Sequence, residues 1–155
     1  MAQPSIGQKI VVDVPSTTAN LGPGFDCLGA ALDLNNRFAM RRIEGDSGRF
    51  ELIIEGNEGS HLRGGPNNLI YRAAQRVWKA AGLEPVGLEA KVRLAVPPAR
   101  GLGSSASAIV AGLVGANALV GEPLSKEKLL ELAIDIEGHP DNVVSSLLGG
   151  LCLTA

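Results

Sequence analysis

Residues 104–120, SSASAIVAGLVGANALV, carry no charged side chain and nothing bulkier than leucine or isoleucine. As a helix, such a segment has no wet face, so it must be covered on most sides. A chain that holds it therefore needs packed layers around it. What precedes it narrows the choice. LEAKVRLAV (88–96) alternates apolar and polar residues, the pattern of a strand with one wet face. PPARGLG (97–103) then puts two prolines and two glycines between strand and helix. The chain reaches its most buried helix through a loop that is stiff first and bare afterwards.

Other segments supply the layers. KIVVDVP (9–15) reads as a strand stopped by Pro15, and STTANLGPGFDCLGAAL (16–32) has too many turn residues for a regular element before Ala30. NNRFAMRRIE (35–44) and RFELIIEG (49–56) read as two strands joined by the turn GDSG, hence a hairpin. NLIYRAAQRVWKAAG (68–82) sets Leu69, Ala73, Val77 and Ala80 along one face of an amphipathic helix ending at Gly82. SKEKLLELAIDIEG (125–138) predicts a second such helix, with Ser125 as N-cap and Gly138 as stop. HPDN (139–142) reads as a polar turn, and VVSSLLGGLCLTA (143–155) begins an apolar segment that the chain end cuts off. Strands mixed with helices and no internal repeat give an α/β or α+β class, one domain or part of one.

Composition limits the partner. The 155 residues carry a net charge of -2, which offers no electrostatic footprint for nucleic acid or acidic membrane and favours a small molecule. Cys27 and Cys152 are too few and too far apart for a disulfide framework or a CxxC metal site, so reduced thiols in a cytoplasmic protein are expected. No stretch has the apolar length of a membrane span, and the N-terminus lacks the form of a signal peptide. Oligomeric state is left open, a homodimer included.

The loop is the chemical feature. Gly101 and Gly103 let backbone N–H groups face inward, and a helix starting at Ser104 adds unpaired amides and a dipole that attract anions. Ser104 and Ser105 supply hydroxyls for phosphate oxygens or Mg²⁺. An ordinary strand–turn–helix join with capping serines is the plainer alternative. The Walker pattern fails, because the loop holds no lysine. GLGSSA matches the dinucleotide pattern G-x-G-x-x-G/A, but the acid that should follow, Glu122, lies in a helix–helix connection, and Pro97 and Pro98 interrupt the strand-to-glycine turn.

PPARGLGSSASA resembles the phosphate loop of the GHMP kinases, the family that includes galactokinases, homoserine kinases and mevalonate kinases. PSTTANLGPGFDCLGAAL (15–32) and GHPDNVVSSLLGG (138–150) are similar to motifs of its homoserine kinase branch, in the same order along the chain. The resemblance implies an α+β two-layer fold of the ribosomal-protein-domain-2-like type. It also implies an ATP-binding N-terminal lobe over 1–155 without the family's C-terminal domain. The activity implied is phosphorylation of the L-homoserine hydroxyl by ATP with Mg²⁺. On that basis Pro97, Pro98, Ala99, Arg100, Gly101, Leu102, Gly103, Ser104, Ser105, Ala106 and Ser107 wrap the ATP phosphates, and Asn68 lies near the adenine.

Ser105 and Glu131 are the implied Mg²⁺ ligands. Glu131 lies eight residues before His139, the family spacing, yet the apolar stripe Leu129, Leu132, Ala133 and Ile136 leaves it on the opposite face with Glu127 and Asp135. Glu137, at the flank of that stripe, is its rival, and the spacing favours Glu131. Asn20, Asp26, His139 and Asn142 match substrate-facing positions, although Asn and Asp suit turns for local reasons and His139 could be an ordinary loop residue. Asn142 stands where other members carry an aspartate base, and an amide cannot take the hydroxyl proton. The implied mechanism has no general base and relies on positioning by Ser105, Glu131 and Asn142. Two other readings are a non-catalytic nucleotide-binding or assembly module and a kinase for another small alcohol. Members of the family run to roughly twice this length, typical of two packed lobes, so the 155 residues alone are expected to fall short of a competent kinase.

Overall fold

The computed structural model describes residues 5–45 and 48–154, Asp26 by its backbone only. Along the chain come β1 (Lys9–Leu21), β2 (Gly24–Arg42), β3 (Phe50–Ile54), α1 (Leu69–Ala80), β4 (Leu88–Arg93), α2 (Ser104–Leu119), α3 (Lys126–Glu137), α4 (Pro140–Leu148) and β5 (Leu151–Leu153). The sheet order is β1-β2-β4-β3, with β5 also pairing with β2. Its inner face presents Val14, Phe38, Met40, Phe50, Leu88, Ala90 and Val92 to a core shared with the helices. Its outer face carries ion pairs, among them Asp13–Arg37 and Glu89–Arg41. Helices on one face of the sheet and water on the other make the two-layer α+β architecture.

The charge-free segment behaves as its composition demands. In α2, Ala106, Ile109, Val110, Leu113 and Ala116 are all buried, against α1 on one side and the sheet on the other. Three of the chain's few aromatic residues support the far end. Phe50 and Tyr71 stack at 5.5 Å, Tyr71 meets Trp78 edge-on at 6.1 Å, and the Tyr71 hydroxyl donates to Val86 O at 2.9 Å. In α1 the buried face is Ile70, Tyr71, Ala73, Ala74, Val77 and Trp78, so the helix is turned relative to the stripe through Leu69 and Ala80.

Four sequence expectations are corrected. Pro15 does not stop the first strand: β1 continues to Leu21, with a register shift between Pro15 and Thr17 where a residue without an N–H can sit in an edge strand. The glycine-broken segment after it is also strand, the two arms of a long β1–β2 hairpin that turns between Leu21 and Gly24. Residues 35–44 and 49–56 do not pair. β4 takes the place beside β2, and β3 lies parallel to β4 through the crossover helix α1. The turn between them includes residues 46 and 47, which lie outside the described residues. HPDN is not a free turn, because His139 is the N-cap of α4 and Pro140 takes the first helical position, where its missing N–H costs nothing.

Among the described residues no helix is long and apolar enough to cross a membrane. Cys27 and Cys152 are both free thiols.

Candidate functional site

The backbone after β4 turns left-handed repeatedly, at Ala99 (φ 62), Gly101 (φ 71) and Gly103 (φ 64), before α2 begins. Gly103 is the N-cap, and no side chain caps the helix. The first-turn amides of a long buried helix are thus left without a side-chain partner, which is the arrangement that attracts an anion. Gly103 is required twice over: its φ is costly for other residues, and a Cβ there would collide with Thr17 Oγ1. The loop is tied to the sheet by Thr17 N donating to Leu102 O at 3.2 Å.

A cleft of about 490 Å³ opens over the loop. Apolar side chains, among them Leu52, Ile54, Leu62 and Leu94, line it together with the Gly-rich turn, Ser104 and Ser105. Glu137, in the last turn of α3, is the one ionisable residue lining the cleft among the described residues. Its Oε2 accepts a hydrogen bond from Ser105 Oγ at 2.7 Å. A polyphosphate at the helix start would face this carboxylate directly, and the repulsion calls for a cation between them. Hydroxyl and carboxylate oxygens are donors that Mg²⁺ accepts, with phosphate oxygens completing its shell. Among the described residues no cluster of three or more His, Cys, Asp or Glu could hold a metal alone. The hydroxyl–carboxylate pair of Ser105 and Glu137 is a donor set of the kind such a cation takes.

Behind the loop lies a set of polar side chains. Thr17 Oγ1 donates to Asn142 Oδ1 at 2.7 Å, which brings β1 against the start of α4. Asp141, nearly buried, accepts from Asn142 N at 2.7 Å and from its amide at 3.3 Å. Its carboxylate is engaged with its neighbour and Asp141 is absent from the cleft lining. Asn36 is buried and bonds to Ser16, Ser107 and Ala95 N.

The expected residues divide as follows. Asn68, Pro98, Ala99, Gly101, Leu102, Gly103, Ser104, Ser105 and Asn142 line the cleft together. Pro97 and Arg100 are exposed beside it, and Ala106 and Ser107 are buried beneath it. Asn68 also caps α1, its Oδ1 accepting from Ile70 N at 2.9 Å and its amide donating to Arg63 O at 2.8 Å. His139 is exposed at the head of α4. Asn20 is exposed with φ 59, and the side chain of Asp26 lies outside the described residues.

Glu131 is not brought to the loop. It sits on the outer face of α3, its side chain 65% exposed, and pairs with Lys128 at 2.7 Å. Leu129, Leu132 and Ala133 take the inward positions, so a carboxylate at 131 faces water. Counting back along the chain misleads because only Gly138 and His139 separate α3 from α4. With so short a connection the last helical turn, at Glu137, is the part of α3 that meets the start of α2. Thr17, Ser16 and Asn36 were missed altogether. A signal for Asn36 existed, an amide in phase with Phe38 and Met40 on the core side of a strand.

The family model for the GHMP kinases N terminal domain matches residues 68–150. The chain is 99% identical over all its length to a homoserine kinase of Prochlorococcus marinus (strain MIT 9303), of which it covers 49%. It is 90% identical to one of Synechococcus sp. (strain CC9605), again covering 49%. The crystal structure of homoserine kinase from Cytophaga hutchinsonii superposes with a TM-score of 0.83 at 31% identity, over 99% of this chain and 50% of that one. Methanococcus jannaschii mevalonate kinase, 17% identical over 94% of this chain and 53% of its own, has the same fold with a TM-score of 0.70. The chain spans about half the length of the curated relatives it matches.

Proposed function

The chain belongs to the GHMP kinases by their N-terminal domain, and from this we propose that it is the ATP-binding part of a cytoplasmic homoserine kinase. The reaction is transfer of the ATP γ-phosphoryl group to the side-chain hydroxyl of L-homoserine, giving O-phospho-L-homoserine for threonine synthesis. The observation that carries the reading is the Ser105–Glu137 contact beside the uncapped start of α2, in a cleft otherwise lined largely by apolar side chains. Full-length relatives named homoserine kinase support the substrate.

In this reading the adenine ring packs among apolar lining residues such as Leu52, Ile54, Leu62 and Leu94. Asn68 borders the ring, its Oδ1 already engaged in capping α1 and its amide in a bond to Arg63 O. The triphosphate lies along Gly101–Ser105, where the bare amides and the helix dipole receive it. Ser105 and Glu137 would hold Mg²⁺, and this replaces Glu131 in the role that spacing suggested. The ion, when bound, neutralises charge on the phosphate oxygens. On the motif resemblance, Asn20, Asp26 and His139 would serve the amino acid, a carboxylate being a natural partner for its ammonium group.

Asn142 lies beside the transferred group; its Oδ1 is occupied by Thr17 and one amide N–H by Asp141, so the other N–H is what it offers an oxygen. Among the described residues no carboxylate other than Glu137 lines the cleft. The rate then comes from alignment of hydroxyl and phosphoryl group and from fixed dipoles at the loop. The test is ADP release from MgATP with L-homoserine, using this chain joined to the second half of the 99% identical relative. Homoserine-dependent turnover is expected. Turnover with other alcohols but not homoserine, or none with a protein that binds MgATP, would overturn the reading.

A further inference from the structure

Asn36 stands on the core side of β2 in phase with Phe38 and Met40 and is 1% exposed. A buried amide is costly unless bonded, and this one is bonded three times, each time to a different segment. Its Oδ1 accepts from Ala95 N at 2.9 Å, on the stretch that leaves β4 for the loop. Its Nδ2 lies 3.2 Å from Ser107 Oγ, in the first turn of α2, and 3.2 Å from Ser16 Oγ on β1. Ser107 N in turn donates to Gly103 O at 2.8 Å, and its hydroxyl donates to Pro15 O at 3.3 Å. The Gly-rich loop thus runs between two stems that are fastened to the same side chain.

We propose that Asn36 is a positioning residue for the phosphate loop, fixing the separation of its entering and leaving stems. The inference rests on the nucleotide-binding reading above and adds a residue that touches no part of the cleft. Geometry gives the reason. Three left-handed residues within 99–103 leave the loop with little of its own to define its shape, whereas a donor–acceptor amide holds both stems at hydrogen-bond distances. An apolar residue of equal size would fill the space but remove the acceptor of Ala95 N–H and the donor that joins the Ser107 and Ser16 hydroxyls. The stems would then drift to find other partners.

The experiment compares Asn36→Leu with the unsubstituted protein, each joined to the second half of the 99% identical relative. Affinities for a Mg²⁺-bound non-hydrolysable ATP analogue and for adenosine are measured at a temperature where both proteins are folded. The analogue should bind about tenfold more weakly, the loss of one to two net hydrogen bonds, and adenosine should bind within about twofold, since it has no phosphates for the loop to hold. Equal losses for both ligands, or no loss for either, would overturn the proposal. If Asn36→Leu does not fold, Ser107→Ala removes one stem's attachment and should show the same split at about threefold; unchanged affinities there would also overturn it. Failure of the unsubstituted protein to bind the analogue would instead defeat the nucleotide reading itself.

Discussion

One methyl group at position 103 is enough to disturb the loop. A Cβ there meets Thr17 Oγ1 head-on and comes within 3.3 Å of Asn142 Oδ1, on a backbone with φ near 64°. The left-handed conformation alone costs an alanine about 1–2 kcal/mol, and the collision also pushes apart the pair that sets the Asn142 amide. Gly103→Ala is therefore expected to weaken binding of a Mg²⁺-bound ATP analogue by about tenfold or more in a protein whose far-ultraviolet spectrum is unchanged. Calorimetric titration checks this, and equal affinity would contradict the close packing of loop and β1. The need for glycine was legible in the motif itself. Its collision partner was not, because Thr17 is distant in sequence and nothing local marks it.

Helix α3 was the most legible element, and the physics of its ends explains why. Ser125 Oγ accepts from Lys128 N at 3.3 Å, and Gly138 leaves the helix at φ 84. Ser125→Ala should cost about 1 kcal/mol of stability, read as a lower denaturation midpoint with an unchanged slope. Glu127, which accepts from its own backbone N–H and then from Ser125, is held below the usual glutamate range. A depressed carboxylate stabilises the fold above its unfolded pKa, and that contribution is lost as pH falls through the folded value. Acidification below pH about 4 should thus lower amide protection at the start of α3, measured against an unstructured chain at the same pH; equal protection at neutral and acid pH would refute the cap. Local signals of this kind also gave α1, α2 and β4. They failed where tertiary structure decides. Nothing near Phe50 indicates that it pairs with Leu88 across a crossover helix and not with β2. Pro15 and the glycines after it read as breakers, but Pro15 sits in an edge strand at a register shift, Gly22 and Gly24 fall at the hairpin turn, and Gly29 is paired within β2.

At the scale of the whole molecule, the cleft exists because four separate segments converge on the start of α2. The loop arrives from β4, Thr17 comes from β1, Asn142 from α4 and Glu137 from the end of α3. Sequence motifs named most of these residues yet could not say which carboxylate reaches Ser105, since that depends on how two helices meet across Gly138 and His139. The geometry chooses Glu137, and the choice is open to direct measurement. An ATP analogue is titrated with and without Mg²⁺ into the unsubstituted chain, Glu137→Gln and Glu131→Gln, each in the joined full-length form. Removing a carboxylate that holds the ion should abolish most of the gain that Mg²⁺ gives, a change of about tenfold or more. The account predicts that loss for Glu137→Gln and a Mg²⁺ response within about twofold of the original for Glu131→Gln. An unchanged Mg²⁺ response in Glu137→Gln, or its loss in Glu131→Gln, would contradict it.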